Sequence, residues 1–145
     1  MMRGFALMAA GAALCALPAT AMAQSSTISG TVQVQKGTGP QLTCTATADL
    51  NGPTPETSTE VTGFTLSGGL FGLCATVQFP NTPHTITQGG GNFTVDDVYA
   101  DTTFTAGDCQ GDLTGTVSAG VVSVNAVLPE VDPGTGDCTV VGTLS

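Results

Sequence analysis

Between Cys109 and Leu144 apolar and polar positions alternate with a period of two. Cys109, Gly111, Leu113, Gly115, Val117 and Ala119 are apolar or small, whereas Gln110, Asp112, Thr114, Thr116 and Ser118 are polar. Successive side chains of a strand point to opposite faces, so the pattern predicts one buried face and one wet face. Ala119-Gly120 supplies a tight turn, Val122, Val124, Ala126 and Leu128 form the inward row of a returning strand, and Pro129 stops it. Past an acidic Pro/Gly loop, Cys138, Val140, Gly142 and Leu144 repeat the row. This end of the chain therefore predicts a three-stranded antiparallel meander.

The alternation recurs upstream. Ile28, Gly30, Val32 and Val34 alternate with Ser29, Thr31, Gln33 and Gln35, a turn is expected over residues 36–40, and Leu42, Cys44, Ala46 and Ala48 give a second inward row. Residues 51–59, with Pro53 and Pro55 among polar neighbours, read as a surface loop. A third strand over 61–66 points Phe64 and Leu66 inward. The next apolar stretch, 70–79, poses a conflict, because Phe71, Leu73, Val77 and Phe79 share a face that Cys74 does not. Either a bulge near Gly72 turns that row inward, or the row stays outside as an apolar contact surface. Shorter strands follow over 84–88 and from Phe93, the latter interrupted at Asp96-Asp97. No segment has helical periodicity. About 8–10 short strands separated by turns predict an all-β fold, an antiparallel β-sandwich of Greek-key type.

The first residues do not belong to that domain. Met1-Met2-Arg3, an apolar run to Leu17 and Ala21-Met22-Ala23 have the layout of an export signal, leaving 24–145 as a single secreted domain. The run is shorter than the ~20 residues that span a bilayer, and no later stretch is longer. With Arg3 in the leader, Lys36 is the only strong base against 11 acids. A chain so acidic repels phosphate backbones, which argues against nucleic acid as a partner. Yet charged residues are 9% and hydrophobic ones 41%, the composition of a folding chain rather than of an acidic tail.

Cys15 also falls in the leader. Cys44, Cys74, Cys109 and Cys138 remain, an even number in an exported chain, which predicts two disulfides. No CxxC pair supports zinc. Of the three connectivities, the sequential one, Cys44 to Cys74 and Cys109 to Cys138, closes the shortest loops and is expected here. Each such bond stabilises by roughly 3–4 kcal/mol on loop-entropy grounds.

Candidate chemistry is sparse. His84, the single histidine, reads as a solvent-facing loop residue, and no GxSxG or comparable nucleophile setting accompanies it. Asp96, Asp97, Asp101, Asp108 and Asp112, or Asp132 with Asp137, lack the spacing of a calcium loop and read as solvated acids. No catalytic residue, metal or cofactor is predicted, and the chain is not expected to be an enzyme.

Several pieces carry a resemblance: ISGTVQV, QLTCTATADL, VTGFTLSG, Cys74, NAVLP and CTVVGTLS. Their order and cysteine placement resemble the PraB family, small secreted proteins that activate alkane oxidation. Two departures stand out. Asn81-Thr82-Pro83-His84 replaces the family's Leu-Pro-Trp, and 130–137 enlarges a normally tight turn. The resemblance implies a bacterial extracellular or cell-surface protein that promotes growth on hydrocarbons without being an oxidase, and it transfers no catalytic residue. Two functions are therefore expected to compete. One is an accessory protein that meets a hydrocarbon or lipid surface through Phe71, Leu73, Val77 and Phe79. The other is a matrix or filament subunit that self-associates through strand edges, with the first strand, 27–35, as the edge.

Overall fold

A computed structural model describes residues 24–103, 107–131 and 136–145. The expected leader and Asp132 lie outside the described residues. Nine strands follow one another: β1 (Ser26–Lys36), β2 (Leu42–Leu50), β3 (Glu60–Ser67), β4 (Val77–Gln78), β5 (His84–Gly89), β6 (Asn92–Thr102), β7 (Cys109–Ser118), β8 (Val121–Leu128) and β9 (Cys138–Leu144).

The strands close into an eight-stranded antiparallel barrel, not the expected sandwich. Apart from the two-residue β4, each strand pairs with its successor, and β9 returns to β1 with Val32 opposite Gly142 and Val34 opposite Val140. A Greek-key sandwich needs connections that cross between sheets, and this chain makes none among its described residues. Alternation alone does not separate the two architectures, since both bury every second residue. The inward-facing glycines do. A Cβ on Gly30 would collide with the Thr143 carbonyl, and one on Gly115 with the Ser123 carbonyl and the Phe93 ring. Strands can approach and bend that sharply only where no side chain intervenes. Closure also removes the edge expected of β1, which is hydrogen-bonded to β2 on one side and β9 on the other.

The inward rows fill the barrel. Val32, Val34, Leu42, Cys44, Ala46, Leu128, Cys138 and Val140 are buried in its lower half, and outward positions are mostly Thr, Ser, Gln and Asp. Apolar inside and polar outside is the reverse of a transmembrane barrel's arrangement. No helix of the described residues is long and apolar enough to cross a membrane. Two bulges reset the alternation. Thr62 is the extra residue where Asp49 pairs with Gly63 and Leu50 with Val61, so Val61 and Leu66 both face inward. In β6 the register shifts between Val95 and Val98, and Asp97 adopts φ 55. The interruption at Asp96-Asp97 is thus a bulge that moves the inward row from Phe93 and Val95 to Val98 and Ala100.

Lys36 is not a turn residue. It ends β1 with its side chain wholly buried, and its Nζ lies 3.3 Å from a Glu130 carboxylate oxygen and 2.7 Å from the Gly136 carbonyl oxygen. The Gly136 N–H donates to the same Glu130 oxygen. This ion pair closes the lower end beside the Cys109–Cys138 disulfide, while Cys44–Cys74 ties β2 to the segment after β3.

Candidate functional site

The upper half of the barrel is not packed solid. An apolar lumen of about 60 Å³ runs between Ile28, Leu50, Val95, Leu113, Val117 and Val124, among others. Its roof is the 51–59 loop. Pro55 lines the lumen, and Gln88 on β5 holds the loop down by donating to the carbonyls of Pro55 (2.8 Å) and Ser58 (2.9 Å). Across the barrel, the Gly120 N–H of the β7–β8 hairpin donates to Glu56 Oε1 at 2.5 Å. That hydrogen bond holds the Glu56 carboxyl below its usual pKa, because it favours the charged acceptor. The loop is therefore a strap over the end of the lumen and not merely a surface connection.

A second boundary lies on the side. β3 and β5 share only two ladder pairs, Glu60 with Thr85 and Val61 with His84. Below them β3 faces β4, which pairs instead with β6 through Val77–Thr102 and Gln78–Asp101. No ladder joins β3 to β4 among the described residues. The seam is filled by Phe64 and Phe79, whose ring centroids are 4.8 Å apart with planes at 79°, an edge-to-face contact. Both rings line the lumen on one side. On the other they line an outer groove of about 320 Å³ with Leu66, Val77 and Pro80. The aromatic pair is thus a wall one ring thick between the apolar lumen and a mixed outer groove to which Thr65 and Gln78 also contribute.

The segment expected to carry the contact row is not a strand. Leu70–Thr76 forms short 3₁₀ turns broken at Phe71 and Gly72, which have φ of 55° and 68°. Strand periodicity does not apply there, so neither the bulge nor the continuous stripe is found. The row splits: Val77 and Phe79 are buried, Leu73 is half-buried, and Phe71 is 90% exposed beside Leu70 at 65%. Cys74, fully buried, fixes this tip to β2 through Cys44. From Val61 to Pro83 the sequence has no charged residue, so the tip and the side chains lining the groove are uncharged, with Asp49 and Asp101 on the strands paired to either side.

His84 is not in a solvent-facing loop. It begins β5, is 6% exposed and lines the lumen, and its Nε2 has no hydrogen-bond partner. Among the lining side chains it is the single titratable one. Its place was legible in the alternation of His84, Ile86 and Gln88 against Thr85 and Thr87, which puts the imidazole on the inner row.

The acids serve as local acceptors. Asp108 accepts from the Tyr99 hydroxyl and from the Thr102 N–H at 3.1 Å, and the Tyr99 bond is the larger cause of its lowered pKa. Asp97 accepts from Gln110, and Asp112 from the Asp97 N–H. Among the described residues no three His, Cys, Asp or Glu side chains converge to hold a metal.

The model of one protein family, "Alkane oxidation protein activator PraA/PraB-like", matches residues 1–145. The chain belongs to that family. No curated protein and no solved structure matches it.

Proposed function

We propose that this protein is a secreted, non-enzymatic accessory factor that meets a hydrocarbon phase at or near the cell surface and holds an apolar chain in its barrel. The lumen carries the reading. A single water needs about 10–15 Å³ and two to four polar partners, and this space has the room without the partners. An apolar chain needs only the contacts that Ile28, Val95, Val117 and their neighbours offer. The closed lumen is smaller than the ~150 Å³ apolar cavity that takes up benzene. A long chain is accommodated when Phe64 and Phe79 part and join the lumen to the outer groove. Leu70 and Phe71, exposed on the segment that leads to Ala75 of the groove, bring it against the hydrocarbon.

The test is displacement of a neutral, apolar fluorescent probe by dodecane. Saturable probe binding that dodecane reverses is expected, with emulsified hexadecane depleting the protein from solution. A probe that gains no fluorescence at protein concentrations well above those of ordinary lipid carriers would sink the lumen as a binding site. The filament reading loses its motive, since the strand it relied on is paired along both sides.

A further inference from the structure

The His84 imidazole is out of character with the space it faces. Buried polar atoms in folded proteins nearly always have partners, and leaving one unpaired is costly. Only two buried side-chain polar atoms lack a partner among the described residues, His84 Nε2 and Ser26 Oγ, and of their side chains only that of His84 lines the lumen. The other polar side chain on that lining, Gln88, already spends its amide on the strap. A ligand that is apolar throughout leaves Nε2 as it is. A ligand with one polar atom at the level of His84 satisfies it.

We infer that the lumen is built to receive a long-chain alcohol in preference to the alkane itself, with the hydroxyl on His84 Nε2. This rests on the lumen being a chain-binding site at all. The chemistry selects the hydroxyl from other oxygen groups. It both donates and accepts, so it serves either tautomer of the ring, whereas an ether or aldehyde serves only the one that places a proton on Nε2. A carboxylate would bring a charge into an apolar space, and even a protonated ring beside it would leave two ions to desolvate, a larger cost than a neutral hydroxyl carries. His84 starts β5 where β3 pairs with it, just above the seam, so a chain passing the Phe64–Phe79 wall meets the imidazole.

Because the chain has one histidine, its imidazole can be watched in the unaltered protein. In nitrogen NMR, dodecanol is expected to move the Nε2 resonance saturably, whereas dodecane displaces the fluorescent probe without moving it. His84→Phe keeps an aromatic ring in place but still lines the lumen, so it is read by the ratio of its two affinities and not by either alone. Its affinity for dodecanol relative to dodecane falls roughly tenfold, as befits one hydrogen bond that also rescues a buried nitrogen. Dodecanol that displaces the probe while the imidazole signal stays still overturns the assignment and leaves the lumen intact. If neither compound displaces the probe from the wild type, the lumen reading fails and this one with it.

Discussion

The two disulfides span almost the same length of chain, 30 and 29 residues, yet the regions they tie are built on opposite plans. Around Cys109–Cys138 the strands β7, β8 and β9 pair continuously with their neighbours, and Lys36 and Glu130 close the barrel with a buried ion pair. Around Cys44–Cys74 the ladder is interrupted, 3₁₀ turns replace a strand, and two phenyl rings do what hydrogen bonds do elsewhere. Loop-closure entropy treats the two crosslinks alike. What differs is the surrounding structure: one side is fixed by continuous ladders and a buried ion pair, while across the β3–β4 seam of the other no ladder forms among the described residues and two rings make the contact. Apolar contacts are non-directional, so the second side can rearrange at lower cost. The lumen meets that side at the Phe64 and Phe79 rings.

The largest break expected in this contrast is on the fixed side. Glu130→Ala leaves the Lys36 ammonium wholly buried without its carboxylate, and such a loss costs about 3–5 kcal/mol. Urea unfolding should show a drop of that size with an unchanged slope. Probe affinity of the folded protein should hold, because neither residue lines the lumen. A drop below about 1 kcal/mol would mean that the ammonium finds water or another acceptor, and that this end is not sealed as described.

A smaller effect on stability, with a larger one on kinetics, is expected at the seam. Phe79→Leu keeps an apolar side chain of moderate size and should cost about 1 kcal/mol, including the lost edge-to-face contact. Stopped-flow exchange of the bound probe should accelerate several-fold in both directions, since the wall between lumen and groove is thinned. The paired control is Glu56→Gln, which weakens the strap at the upper end. Acceleration by the strap variant and not by Phe79→Leu would move the entrance from the side to the end.

The same two regions divide what the sequence made legible. The C-terminal meander was readable because each residue there obeys one rule: alternation, a two-residue turn at Ala119-Gly120 with φ of 51° and 79°, and a proline stop. The inward rows of β1 and β2 were readable for the same reason. Closure was not, because a pairing between β1 and β9 is a long-range fact that a local pattern does not encode. Lys36 was misplaced because lysine is rarely buried, and its partner Glu130 is 94 residues away. The tip at Leu70–Thr76 escapes the alternation, since a period of two applies only to extended backbone. Gly68 and Gly69, with φ of 79° and 76°, had already turned the backbone out of extended geometry. His84 follows Pro83 in the sequence, but its parity with Ile86 is the better guide to its inward side chain.

Phe71 sets the smallest stability effect against a functional one, and with opposite signs. A bulky residue at φ 55 sits where L-residues are disfavoured by about 1–2 kcal/mol, and here the side chain is 90% exposed and recovers little of that through burial. Glycine would relieve the conformation, although its freer unfolded chain gives back part of the gain. Phe71→Gly should therefore leave the protein as stable or stabilise it by about 0.5 kcal/mol, read as a small upward shift in melting temperature. Backbone strain kept under an exposed aromatic points to use of that side chain rather than to folding. Depletion onto hexadecane droplets should fall about tenfold or more, since burying a phenylalanine contributes ~1.5–3 kcal/mol. A variant that gains stability and adsorbs as well as the wild type would show that the tip does not meet the hydrocarbon. Contact would then have to run through the outer groove alone, where Leu66, Val77 and Pro80 would become the side chains to replace next.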